Sequence, residues 1–232
     1  MLNALAELVS RDASAAAEAL LLPPGVADAA TAVNRRVEAA PTAKALTRYA
    51  GTVYDGLGFA DLPAPAQRVA LRTVYVFSGL FGVVRGDEPI PDYRVPAKAT
   101  LPGVGIAGTA WRPVLDEVLP QLFGKGLIVD LRSSDYAAMW RPRPPLAART
   151  ITVRVLSPLP AGGLGVVSYP SKYAKGRLVA ALSRAVAAKR RVQTIADVAA
   201  LWSDTTGHHA EVTSDTALTL HHPAKIVGNP DA

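Results

Sequence analysis

The chain has 232 residues, half of them hydrophobic, and a formal net charge of +6 at pH 7. This length can bury a sizeable core, and polar residues interrupt every long apolar stretch, so no transmembrane helix or membrane partner is expected. Cysteine is absent, which excludes disulfides and thiolate chemistry and agrees with a cytoplasmic location. The N-terminal segment lacks the basic start of a secretory signal and is typical of an amphipathic helix.

Residue periodicity, with the positions of proline and glycine, divides the chain into helices, strands and loops. The stretch 86–105 is predicted to be an irregular loop, and residues 223–232 a loose tail. Helices are predicted over residues 1–40 with a break at 22–25, and over 42–55, 63–71, 107–123, the segment after 172, and 195–202. Strands are predicted over 73–77, 127–131, 150–156, 165–169 and 211–220, with a hairpin turn at 161–163. We see no repeat and no domain boundary.

Three of the predicted strands end in hydroxyl residues and are expected to run into helices. The residues that follow these strands include Ser78, Ser133 and Ser171. In open α/β sheets the carboxyl ends of strands face helix N termini, and this edge is a natural anion site. The pattern therefore favours one ligand site at a shared sheet edge. The alternative is that the three serines only cap helices.

Charge is distributed unevenly along the chain. No acidic residue lies between Asp135 and Asp197, whereas 11 lysines and arginines do. Such asymmetry points to a polyanion or a phosphorylated ligand. The alternative is a solvated basic face that pairs with the acidic remainder of the chain.

The helix after Lys172 sharpens this interpretation. Arg177, Arg184 and Arg191 recur every seven residues, which on one helix places them about 10 Å apart along one face. With Lys172 and Lys175, this row is predicted to hold a phosphate backbone without reading bases. Aromatic residues are few here, so recognition of single strands by stacking has little support.

Other motifs predict neither a metal nor a cofactor. Adjacent side chains on a strand point to opposite faces, so His208-His209 and His221-His222 are expected to be surface histidines rather than metal ligands. The carboxylates of Asp87, Glu88 and Asp92 could hold Mg²⁺, but carboxylates in a proline-rich loop more often stabilise turns. Leu101–Gly105 resembles the hairpin of helix-hairpin-helix DNA binders, although a plain turn is favoured.

Four blocks, over residues 45–57, 78–94, 131–136 and 171–177, resemble in order the motifs of the YaaA peroxide-stress protein family, also called UPF0246. The resemblance implies a cytosolic protein of the oxidative-stress response that binds double-stranded DNA. It also implies one α+β domain over residues 1–232, with a mixed β-sheet flanked by helices and a positively charged cleft. The candidate ligand-binding residues all lie in these four blocks: Tyr54, Ser78, Asp87, Tyr93, Arg94, Ser133, Asp135, Tyr136, Lys172, Lys175 and Arg177.

The chain departs from the family pattern in places. It lacks the usual first strand and Ser/Pro/Lys loop, so either Met1 is a misassigned start or the chain is truncated. Lys175 stands where the family has arginine, which keeps the charge but loses a two-point contact.

Two hypotheses follow. The first is a non-enzymatic stress protein that binds DNA or another phosphate-bearing ligand. The second is an enzyme acting on a nucleotide-like or phosphorylated small molecule, with Tyr54, Tyr93 and Tyr136 positioning the substrate. Its catalytic candidates are Ser78, Asp87, Asp135 and Lys172.

Overall fold

The computed structural model describes residues 1–10 and 13–223. Its helices are α1 (Leu2–Ser10), α2 (Ala13–Ala19), α3 (Ala27–Arg35), α4 (Ala45–Arg48), α5 (Thr52–Leu57), α6 (Ala64–Thr73), α7 (Ala107–Leu122), α8 (Ser134–Ala137), α9 (Ser168–Ala187) and α10 (Ile195–Thr206). Its strands are β1 (Ala43–Lys44), β2 (Tyr75–Ser78), β3 (Gly82–Arg85), β4 (Pro89–Ile90), β5 (Thr100–Leu101), β6 (Gly105–Ile106), β7 (Ile128–Asp130), β8 (Thr150–Pro158), β9 (Leu164–Gly165), β10 (Ala210–Ser214) and β11 (Ala217–His221). Nowhere in residues 1–10 or 13–223 is a helix both long and apolar enough to span a bilayer.

The described residues form two compact units. Unit 1 comprises Met1–Arg48, Thr73–Gly124 and Arg132–Arg141, and unit 2 comprises Tyr49–Arg72, Lys125–Leu131 and the described residues from Pro142 onward. That residues 1–232 act as one domain stays a prediction, and its loose tail lies outside the described residues from residue 224 on.

Unit 1 begins with the predicted N-terminal helices. The break near residue 22 is confirmed, because Leu21 adopts a left-handed backbone with φ of 54° and a 3-10 turn follows at Pro24–Val26. Leu5 and Leu8 of α1 are buried, and Asn34 of α3 exchanges two hydrogen bonds with the backbone of Arg94. Arg11 and Asp12, within the predicted helical region, lie outside the described residues.

The strand that precedes Ser78 does not run into a helix, and that prediction is wrong. β2 and β3 form an antiparallel hairpin in a two-stranded sheet of their own, with Ser78 opposite Gly82. Gly82 has a φ of 72°, which favours glycine, and its Cα faces the ring of Trp111 at a distance that leaves no room for a methyl group. A glycine-containing turn therefore reverses the chain where a helix start was expected.

Unit 2 is built on a mixed sheet with strand order β10-β11-β8-β7. β8 pairs in parallel with β7 and β11, whereas β10 and the short β9 pair antiparallel with β11 and β8. Alternate residues of β8 are buried, since Ile151, Val153 and Val155 pack with Leu178 of α9 and Trp202 of α10. Helices therefore cover one face of this sheet, and the predicted α+β class with a mixed sheet flanked by helices is confirmed.

Three predicted elements differ most from the structure. The helix expected over 42–55 is divided into β1, α4 and α5, with Gly51 at a φ of 108° in the gap. The strand expected over 165–169 is nearly absent, because β9 ends at Gly165 and α9 begins at Ser168. The strand expected over 211–220 is a hairpin of β10 and β11, since the chain turns at Asp215 and Thr216.

Candidate functional site

In unit 1, the hydroxyl of Ser78 is the centre of a buried hydrogen-bond network. Its Oγ accepts the backbone N–H groups of Leu80 and Phe81, at 3.1 and 3.0 Å, and lies 2.6 Å from the hydroxyl of Tyr93. Two accepted bonds occupy both lone pairs, so Ser78 donates its proton to Tyr93. Ser78 is 2% exposed, and the hydroxyl therefore stabilises the hairpin turn and positions Tyr93.

Tyr136 lies within electrostatic range of Tyr93 and of its own neighbour Asp135. Burial raises the pKa of Tyr136, with further contributions from Tyr93 and Asp135. Asp135 forms an ion pair of 2.7 Å with Lys98. Tyr136 thus stays protonated and can donate a hydrogen bond, beside a carboxylate that is held by a lysine.

Arg132 adds a positive charge to this part of unit 1. Its guanidinium carbon lies 4.3 Å from the centroid of the Phe77 ring and 5.6 Å from that of Trp140, which are cation–π distances. The neighbouring Ser133 is the N-cap residue of α8, but its side chain makes no capping hydrogen bond and it is exposed.

Two other predicted ligand residues are engaged in local ion pairs. The guanidinium of Arg85 contacts both carboxylate oxygens of Asp87, at 2.6 and 3.1 Å. Arg94 pairs with Asp92. Arg85 lies opposite Tyr75, at the far end of the hairpin from Ser78, about 10 Å along the strand. The structure therefore separates Asp87 from the Ser78 network.

In unit 2, Lys175 links α9 to the carboxyl end of β7. Its Nζ donates to the carbonyl of Leu131 at 3.0 Å. Burial lowers the pKa of Lys175, and Asp130 acts in the opposite direction. The predicted site residue Lys175 therefore lies at the carboxyl end of β7.

Three cations of α9 form what we call the α9 basic surface: Lys172, Arg177 and Arg184. Arg177 and Arg184 lie two turns apart on one side of the helix, whereas Lys172 lies roughly 140° around it from Arg177. Lys172 and Arg184 are exposed and Arg177 is half-buried.

Arg191 does not continue this surface, so the predicted row of three arginines on one helix is wrong. α9 ends at Ala187, and Lys189 takes a left-handed φ of 61°. Arg191 lies in the connection to α10, where it donates to the side chain of Gln193.

Tyr54, the remaining predicted ligand residue, lies on α5 and stacks on Tyr49 with ring centroids 5.5 Å apart. Ser171 does not cap α9, because Val167 is the N-cap residue and the Ser171 N–H bonds to its carbonyl.

A pocket of about 250 Å³ lies at the amino ends of the parallel strands of the mixed sheet. The sequence favoured a site at the carboxyl ends of strands, which is the opposite edge. The pocket is found where β7, β8 and β11 begin and α10 starts. Its polar lining includes Arg149, Thr150, Gln193, Thr194 and Asp215.

The histidines are arranged differently from the prediction. His222 is only 4% exposed and packs against Trp202, Tyr173 and His208, so the expectation of a surface residue is wrong for it. Burial lowers its pKa, His208 and Arg177 lower it further, and a hydrogen bond with Pro223 opposes them. His222 is buried because residues 210–221 form a hairpin of β10 and β11, and not the single strand predicted over 211–220.

Several residues of these surroundings were missed. Lys98 and Arg132 carry no sequence signal of their roles, since their partners Asp135 and Phe77 become neighbours only through folding. Gly56 and Gly176 did carry one, because a glycine inside a helix marks a close approach of backbones.

These observations define an α+β protein whose mixed sheet supports a long helix with exposed cations. The profile of the family described as Peroxide stress protein YaaA matches residues 2–211, and the chain belongs to that family. A UPF0246 protein of Streptomyces coelicolor is 44% identical over 182 residues, which cover 78% of this chain and 68% of the relative. One from Corynebacterium glutamicum is 35% identical over 185 residues, covering 77% and 71% of the two chains. The family resemblance inferred from four sequence blocks is confirmed.

Proposed function

We propose that this protein acts in the peroxide-stress response, in the cytoplasm, by binding a phosphate-bearing ligand through the α9 basic surface. Duplex DNA is the first candidate, because a helix with spaced guanidiniums can follow a phosphate backbone without reading bases. Family membership supports the stress role. Contacts of Lys175 and Arg191 with the ligand, and the cleft that the resemblance implies, stay predictions.

The observation that carries the proposal is that Lys172 and Arg184 lack counter-charges among the described residues. Within the described part of the chain, neither Lys172 nor Arg184 forms an ion pair, whereas the nearby Arg190 pairs with Asp204 at 2.8 Å. The stretch that contains these cations has no acidic residue between Asp135 and Asp197. Uncompensated cations attract a polyanion, and counterion release then strengthens binding at low salt.

The test compares two substitutions that each remove one positive charge. Arg184→Gln should weaken duplex DNA binding and reduce the slope of log affinity against log salt by about 0.9, the value for one phosphate contact. Arg190→Gln is the matched control, since Arg190 is already paired with Asp204, and should change the slope little. Affinity that barely changes between low and moderate salt would contradict the proposal.

The second candidate is an enzyme that acts on a nucleotide-like or phosphorylated small molecule. The Ser78–Tyr93 hydrogen bond and the nearby Tyr136 and Asp135 favour it, because they combine hydroxyl donors with a carboxylate. The other catalytic candidates from the sequence, Asp87 and Lys172, stay predictions, and Asp87 lies apart from the Ser78 network. Ligand contacts by Tyr54, Arg94 and Ser133 also stay predictions.

Asp135→Asn and Asp87→Asn test this second candidate in a strain that lacks the protein. Loss of peroxide protection by a folded Asp135→Asn variant would support an enzyme. If both variants protect cells as well as the wild type, neither carboxylate performs the acid–base step and the hypothesis fails.

A further inference from the structure

Two histidines face each other across the β10–β11 hairpin on the side that α9 and α10 do not cover. Ala210 pairs with Leu220, so His209 lies opposite His221, and the His221 N–H donates to the His209 carbonyl at 2.9 Å. Ala210 and Leu220 pack into the core. Since side chains alternate along a strand, both histidines point to the other face of the sheet.

The two imidazole rings have the separation that a shared metal ion requires. Their centroids are 5.2 Å apart and the rings are inclined by 55°. A metal bound tetrahedrally at 2.0–2.1 Å from one nitrogen of each ring places the centroids about 5 Å apart. The observed arrangement therefore needs little movement to accept an ion.

One ring nitrogen of the pair also lacks an internal partner. Nε2 of His221 is buried and has no hydrogen-bond partner among the residues that the structure describes. His209 is exposed, which gives a path from solvent to the pair. An orphaned buried nitrogen beside an accessible imidazole is a costly arrangement unless something binds there.

We propose that His209 and His221 form a two-histidine site for a borderline divalent transition metal such as Zn²⁺. Neutral imidazole is a preferred ligand of such ions. Over residues 1–10 and 13–223, no group of three or more His, Asp or Glu side chains could hold a metal. Water therefore completes the coordination, and the site remains open and binds more weakly than a structural zinc site with four protein ligands.

The second cross-strand pair shows what histidine packing without a metal looks like. His208 and His222 have ring centroids 5.5 Å apart, but both also contact the ring of Trp202 in the core. Nδ1 of His222 lies 2.9 Å from the carbonyl of Pro223. Aromatic packing and this hydrogen bond account for that pair, and no such partners are seen for the His209–His221 pair in the described residues.

The experiment measures Zn²⁺ binding by calorimetry to the full chain after treatment with a chelator. The wild type should bind one equivalent, and His209→Gln and His221→Gln should each bind at least tenfold more weakly. His208→Gln, adjacent in sequence but on the other face, is the control and should bind within about twofold of the wild type. His209→Ala, at an exposed position, provides a second variant should His221→Gln fail to fold.

A second readout is the melting temperature, because an ion that binds only the folded state stabilises it. Zn²⁺ should raise the melting temperature of the wild type and of His208→Gln but not of the two site variants. A wild type that binds no Zn²⁺ at millimolar concentration, or site variants that bind like the wild type, would overturn the proposal.

Discussion

Gly176 of α9 lies directly against the backbone of Val53 in α5. A methyl group on Gly176 would overlap the carbonyl of Val53 and lie 2.6 Å from the backbone nitrogen of Leu57. Gly56 makes the reciprocal contact, since a methyl group there would overlap the carbonyl of Tyr173. Two glycines thus allow the helices to cross at backbone distance, and Arg177 is positioned by this crossing.

Gly176→Ala is therefore expected to destabilise the protein by at least 1–3 kcal/mol, the usual cost of overpacking, because backbone atoms cannot yield as a flexible side chain can. Urea unfolding followed by circular dichroism measures the loss. Gly126→Ala is the control, as no atom lies within 4 Å of that added methyl, and should change stability by less than about 0.5 kcal/mol. Equal stability of the two variants would contradict the close crossing.

Ser78→Ala is expected to cost about 1–3 kcal/mol, because it leaves the N–H groups of Leu80 and Phe81 without their acceptor in a buried turn. Tyr93→Phe removes the bond to Ser78 but keeps the ring and both backbone bonds of the turn, and should cost about 1 kcal/mol. Ser133→Ala is the exposed control and should be close to neutral. If Tyr93→Phe proves the more damaging of the two, the hydroxyl of Ser78 is not the centre of the network.

The sequence predicted best those elements whose signal is local. α10 was expected to begin at Ile195 and does so, and the structure contains both hydrogen bonds of a capping box between Thr194 and Asp197. The strand predicted over 150–156 is present as β8. In each case the residues that define the element lie within a few positions of one another.

Features that depend on distant partners were not predictable in this way. The apolar strand before Ser78 gives the same pattern whether it enters a helix or a hairpin, and the choice was made by Gly82 packing under Trp111. The pairing of His209 with His221 arises from a turn at Asp215, not from the adjacency of histidines in the sequence. Lys98 could not be assigned to Asp135 because nothing local joins them.

Asp197→Asn should alter the acid dependence of stability. Hydrogen bonds from the backbone of Gln193 and Thr194, and from the Thr194 side chain, lower the pKa of Asp197. A carboxylate with a lowered folded-state pKa stabilises the protein above its unfolded pKa of about 3.9, and this contribution is lost as the pH falls through the folded-state value. The urea midpoint of the wild type should therefore drop more between pH 5 and pH 2 than that of the variant.

Asp204→Asn serves as the comparison, because Asp204 is an exposed acid on the same helix that does not belong to the cap. It should retain the acid dependence of the wild type. Identical acid profiles for Asp197→Asn and the wild type would show that the cap does not contribute to acid unfolding.

His222 should make the stability of the protein depend on pH near neutrality. Its pKa is lowered by burial, so the unfolded state binds the proton more tightly than the folded state. This contribution is complete above the unfolded pKa of about 6.5 and is lost progressively as the pH falls toward the folded-state value. The groups that face His222 include His208, Arg177, Tyr173 and Trp202, and of these His208 and Arg177 lower its pKa further.

His222→Phe keeps an aromatic ring in the core and removes the titration. Denaturant unfolding in the presence of a chelator should show a fall in wild-type stability between pH 8 and pH 5.5 that is smaller in this variant. His209→Gln, which changes an exposed histidine outside the cluster, should follow the wild type. Should His222→Phe lose as much stability as the wild type over this range, another group is responsible for the dependence and His222 is not the buried base that its environment indicates.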